Sequence, residues 1–152
     1  MKKMILMALS MVLMAFTANA QSALNDSADS IVGLYESDFG GDASKIRITK
    51  EEDGTYKAQV YWLAHPLDKN GKPLLDEKNP DKKLRNTPVD RVVLIEKLQY
   101  VEKKHNWGNA KIYDPTRGFK ANVTCWFSDD STLKVKGTLI GISETIVWKK
   151  VQ

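Results

Sequence analysis

Apolar and polar residues alternate with a period of two through most of this chain, and no stretch beyond residue 20 sustains a helical period. That pattern limits the chain to strands with one face on a core and one in water. Lys45 to Lys50 sets Ile46 and Ile48 against Lys45, Arg47 and Thr49. Thr55 to Leu63 sets Tyr56, Ala58, Val60 and Trp62 against Lys57, Gln59 and Tyr61, after an Asp53-Gly54 hairpin signal. Ile31–Glu36, Arg91–Ile95 (running on toward Val101), Asn109–Tyr113, Phe119–Phe127, Thr132–Ile140 and Glu144–Val151 bring the predicted strands to eight. Short connections imply antiparallel pairing, because a parallel crossover needs about a dozen residues or more. Eight such strands can close into a barrel and so lose their edges, with a two-sheet sandwich as the alternative. The shared register puts Ile46, Ile48, Tyr56, Ala58, Val60, Trp62, Ala121, Val123, Cys125, Leu133, Val135 and Leu139 on the inner face.

Two segments interrupt the pattern. Asp114-Pro115-Thr116-Arg117-Gly118 places a carboxylate and a guanidinium between two strands. Asp first, Pro second and a closing Gly suit a type I turn, which explains the motif without a catalyst. Residues 64–90 hold four of the five prolines together with Leu67, Leu74, Leu75, Leu84 and Val89. A loop of that length inside a compact unit is uncommon. Its apolar residues predict packing, either as a lid over a barrel mouth or as an ordered connection.

Residues 1–20 read as a secretory leader. Lys2 and Lys3 precede an uncharged apolar run from Met4 to Phe16, and Ala18-Asn19-Ala20 is a small-x-small cleavage site. The run is too short to span a bilayer, which takes about 20 residues. Residues 21–152 are then expected to form one β-barrel-like domain, periplasmic or extracellular, with no stable membrane anchor. Without Lys2 and Lys3 the chain has 21 basic and 19 acidic residues, so the excess is too slight and too dispersed for a nucleic-acid partner. The single cysteine, Cys125, excludes an intramolecular disulfide and is expected to pack as a small hydrophobe.

Chemistry-bearing motifs are scarce. Asp68-Lys69-Asn70-Gly71 with Glu77 imitates half a calcium loop, but its first ligand position would be Pro66. The two histidines, His65 and His105, are isolated, so no metal site and no cofactor are expected. No Gly-x-Ser-x-Gly and no glycine-rich phosphate loop is present. Aromatic residues are prominent: Tyr35, Tyr56, Trp62, Tyr100, Trp107, Tyr113, Trp126 and Trp148. Trp126 alternates against Val123 and Cys125 and should face outward. Trp107 and Tyr113 are expected at the rim, beside the Asp-Pro turn.

Ile31-Val32-Gly33-Leu34-Tyr35, Asn79-Pro80-Asp81 with Leu84-Arg85, Trp107, Ile112-Tyr113-Asp114-Pro115 with Gly118, Leu133-x-Val135-x-Gly137 and Trp148 occur in that order. The arrangement resembles the exported bacterial family known as domain of unknown function 2147. This chain departs from it with Tyr35 in place of a tryptophan, and with no glycine pair near Asn109-Ala110, where the family is expected to have one. The resemblance implies an exported, mostly β protein without an established activity, and it draws Asp81, Arg85, Tyr113 and Asp114 together as a polar cluster. The expected architecture is all-β: one antiparallel eight-stranded barrel-like sheet of the calycin or lipocalin kind, with one long proline-rich loop. Asp81, Arg85, Trp107, Tyr113 and Asp114 are the candidate ligand-binding or rim residues, with an Arg85–Asp114 ion pair anchoring the loop. The leading functional reading is a small barrel that binds a small or lipid-like ligand. A structural or interaction module of the cell envelope comes second, and a hydrolase-like enzyme using His105 or Asp114 third.

Overall fold

The computed structural model describes residues 22–39 and 41–152; the expected leader and its cleavage site after Ala20 lie outside them. Eight antiparallel strands close into a barrel, each paired with the next in sequence. They are β1 (Gly33–Phe39), β2 (Asp42–Lys50), β3 (Tyr56–Leu63), β4 (Val93–Val101), β5 (Asn106–Asp114), β6 (Phe119–Asp129), β7 (Thr132–Leu139) and β8 (Ile142–Lys150). Among the described residues there is no α-helix, only short 3₁₀ turns. Closure rests on a short seam, Tyr35 opposite Lys150 and Glu36 opposite Lys149, extended by a hydrogen bond from Ser37 Oγ to the Val147 carbonyl (3.1 Å).

The alternating rows meet inside. Ile46, Ile48, Tyr56, Ala58, Val60, Ala121, Val123, Cys125, Leu133 and Val135 are all buried, as the period of two requires. Two members of the expected inner row are not. Trp62 is exposed because β3 carries a bulge: Lys45 pairs with Trp62 but the next residue, Ile46, pairs with Val60, so Tyr61 is extra. An unpaired residue reverses the alternation beyond it. Leu63 therefore takes the inner position, and Trp62 lies outside with the Lys45 ammonium 5.1 Å from its ring centre. Leu139 keeps its inward register but is also exposed, because it borders an open cavity. A second bulge, in β5, explains the departure at Asn109. Its φ is +56°, a left-handed conformation that glycine adopts freely and asparagine tolerates better than most residues.

One barrel end is sealed by the segment preceding β1, which has no periodicity to announce it. The 3₁₀ turns Ala23–Asp26 and Ala28–Ile31 cross this end, with Asn25 and Ile31 fully buried. Asn25 completes the β6 ladder like a strand residue: its Nδ2 donates to the Phe127 carbonyl and its Oδ1 accepts from the Phe127 amide, both at 2.7 Å. Tyr100 Oη donates to the Asn25 carbonyl (2.7 Å), Trp107 Nε1 to the Ala28 carbonyl (3.0 Å) and Tyr35 Oη to the Ile31 carbonyl (2.6 Å). Lys150 reaches the Ser30 carbonyl, its ammonium lying over the rings of Tyr35 and Phe127.

Cys125 sits in this core with no exposed surface, and burial pushes its thiol up to about 12. Burial penalises the thiolate, so the thiol should resist a disulfide exchange reagent at pH 8 in the folded protein and react at once in denaturant. The same shift sets a sign. Stability from the neutral thiol is complete below the unfolded value near 9 and is lost as pH rises toward 12. Rapid labelling of the native protein at pH 8 would contradict this assignment.

Candidate functional site

The opposite end is open. A cavity of about 430 Å³ runs down from the hairpin turns that follow β5 and β7. Its wall is apolar: Leu94, Ile112, Ala121, Val135, Ile146 and Trp148, with Phe119, Leu139 and Ile142 nearer the opening. Gly137 contributes by lacking a side chain. A Cβ there would stand 3.5 Å from both the Ala121 Cβ and the Ile112 Cγ2. Asp38, Asp114, Thr116, Arg117 and Glu144 form a polar rim.

Arg117 organises that rim. Its Nε donates to Asp114 Oδ2 (2.6 Å), one terminal nitrogen donates to Glu144 Oε2 on β8 (2.7 Å), and the guanidinium lies 4.8 Å from the Phe119 ring centre. The motif at 114–118 is a turn, as its composition implies. Asp114 Oδ1 accepts from the Thr116 amide (2.9 Å) and hydroxyl (2.6 Å), the Gly118 amide closes on the Asp114 carbonyl (2.7 Å), and Gly118 has φ +73°. Burial raises the Asp114 carboxyl, but hydrogen bonds from Thr116 and Arg117 outweigh it and leave the carboxyl below its ordinary range. The expected Arg85–Asp114 ion pair does not form. Arg117, three residues from Asp114 on the same turn, takes that place, and Arg85 Nε donates to the Asn79 carbonyl (2.8 Å).

The 64–90 loop is ordered and is not a lid, for none of its residues lines the cavity. It folds against the outer wall on a buried carboxylate that the sequence reading passed over. Asp76 is 2 % exposed; its Oδ1 accepts from Tyr113 Oη (2.7 Å) and its Oδ2 from Asn79 Nδ2 (2.8 Å). Burial, then this hydrogen bond, raise the Tyr113 phenol above its ordinary range. Asn79 Oδ1 holds the Asp81 amide (2.9 Å), and Asp81 Oδ1 caps the next turn at the Lys83 amide (3.0 Å). Lys78 Nζ donates to the Thr116 carbonyl (2.7 Å), and its backbone lies against Gly118 so closely that a Cβ there would meet Lys78 O at 2.6 Å.

The five candidate residues are thus divided. Tyr113 and Asp114 border the cavity. Asp81 and Arg85 brace the loop outside it. Trp107 is at the sealed end, fully buried and edge-on to Phe127, rather than at the rim. Neither histidine lines the cavity: His65 Nδ1 meets Asp42 Oδ1 (2.7 Å) on the surface, and His105 meets Asp26 (2.8 Å) beside the sealed end. No sequence signal singles out Arg117, Glu144 or Ile142 as site residues. Arg117 stands within a motif that reads as a turn; the other two become rim residues only through barrel closure.

A closed, eight-stranded, antiparallel barrel, sealed at one end and hollow at the other, has a lipocalin-like fold. The chain belongs to the family described as an uncharacterized protein conserved in bacteria (DUF2147), whose model matches residues 33–150. No curated protein matches it. Among solved structures it is similar to protein HP1028 from the human pathogen Helicobacter pylori, described as belonging to the lipocalin family. The similarity covers 80% of this chain and 83% of that one, with 22% identity and a TM-score of 0.62, a likeness of fold alone.

Proposed function

We propose that this protein is exported, loses residues 1–20, and binds one small or lipid-like molecule in its barrel. The cavity carries this reading. At about 430 Å³ it falls within the roughly 300–1,000 Å³ span of ligand pockets and combines an apolar wall with a few polar groups at one end. An aliphatic or aromatic body would rest against Trp148, Val135 and Ile112, leaving its polar end beside Arg117 and Glu144. The leader composition supports an exported location, and N-terminal sequencing of the exported form should begin at Gln21.

Native mass spectrometry of protein purified from its host tests the binding. The parent should carry an additional mass, and Gly137→Leu should arrive without it. Gly137 does not require a left-handed backbone and a Cβ there makes only ordinary contacts, so the new side chain would fill the cavity without breaking the sheet. Equal binding by parent and variant, or a parent that carries no ligand and takes up no fluorescent apolar probe, would refute the proposal.

A further inference from the structure

The β7–β8 hairpin ends in the most exposed apolar group of the described molecule. Ile140 is 92% and Ile142 76% exposed, and Leu139 beside them is also open to solvent. The turn does not call for isoleucine. Ile140 has φ +50° and Gly141 φ +74°, the left-handed pair that two-residue hairpins usually fill with Asn-Gly. A β-branched residue is strained there and, in solvent, gains nothing from packing.

A second observation lies on the barrel wall leading to this tip. The outward rows of β6, β7 and β8 between Lys120 and Val147 hold Lys120, Lys134 and Lys136 among serine, threonine, asparagine, Trp126 and Val147, with no carboxylate. None of the three lysines makes an ion pair among the described residues. Lys120 lies two residues before Asn122, which pairs with Thr138, so it stands level with the turn. Lys136 is four residues up the strand, roughly 13 Å at the rise of a β-strand. The nearby acid on β8, Glu144, belongs to the inward row and is held by Arg117.

We infer that this end of the barrel docks on an anionic lipid bilayer, with Ile140 and Ile142 entering the interface and Lys120 and Lys136 meeting the headgroups. Apolar tips supply burial at such a surface, and nearby lysines add attraction that salt weakens, Lys120 level with the turn contributing more than Lys136 farther up the strand. Leu139 and Ile142 also line the cavity, so docking would bring its opening, with the charged rim around Arg117, to the headgroup layer. The inference goes beyond ligand binding and stands whether or not the cavity is filled.

Vesicle flotation tests it, using phosphatidylcholine alone and phosphatidylcholine mixed with phosphatidylglycerol. The parent should float with the anionic vesicles and lose this at raised salt. Ile140→Asn suits the left-handed turn, so it should melt no lower than the parent while partitioning at least about tenfold less, the cost of one isoleucine's burial. A Lys120→Gln, Lys136→Gln pair, remote from the core, should weaken binding to anionic vesicles only. The apolar run at Met4–Phe16 is common to all these chains and cannot produce the differences. Failure of the parent to float, flotation of Ile140→Asn equal to the parent, or tip-dependent self-association that vesicles do not reverse would each overturn the assignment, the last in favour of a second copy.

Discussion

Asp76→Ala should lower the melting temperature by about 10 °C or more. The substitution removes the acceptor of two buried donors, Tyr113 Oη and Asn79 Nδ2. Each orphaned donor costs about 1–3 kcal/mol, and in a chain of this size one kcal/mol moves the midpoint by a few degrees. Asp76→Asn should fall between parent and alanine. Its oxygen can still accept from Tyr113, but its amide would face the Asn79 amide, whose own oxygen already holds the Asp81 backbone. Asp81→Ala is the control: it removes only an exposed cap on the Lys83 amide, worth about 1 kcal/mol. Thermal unfolding of the three variants beside the parent decides the matter. If Asp76→Ala melts with Asp81→Ala, the loop is not anchored where the geometry places its anchor.

Asn25→Ala is expected to cost about 2–4 kcal/mol, because it strips the Phe127 amide and carbonyl of their partners inside a sealed barrel end. A urea titration should show the midpoint falling, and amide exchange at Phe127 should accelerate. An unchanged midpoint would mean that the segment before β1 is an appendage and not the floor of the barrel. The two predictions are independent, since Asn25 lies at the sealed end and Asp76 in the loop braced on the hairpin turn after β5.

Much of the fold was legible because period two is a one-dimensional signal. Ala121, Val123 and Cys125 reveal their common face without reference to any other strand, and so do Ile46 and Ile48. Trp62 was misread for a physical reason. The bulge that turns it outward exists only in the pairing of β3 with β2, and no local composition marks Tyr61 as the extra residue. A long loop needs an anchor, and Arg85 and Asp114 both stand in recognisable motifs, so the sequence favours pairing them. The nearer cation, Arg117, was already part of the turn. Asp76 gave no sign, being one more acid between Leu75 and Glu77 until the loop closes over it.

Strand number, antiparallel order, most of the inner rows and the turn at Asp114–Gly118 follow from local patterns, because alternation and turn chemistry act between neighbours along the chain. Which barrel end is sealed, that the long loop braces the wall instead of covering the mouth, and that Arg117 meets Glu144 at a cavity rim are set by closure of the barrel. Those outcomes depend on contacts between residues far apart in the chain, such as Asn25 with Phe127 and Asp76 with Tyr113. Their energies exist only after closure has excluded water, which makes an unpaired polar group costly and so dictates its partner.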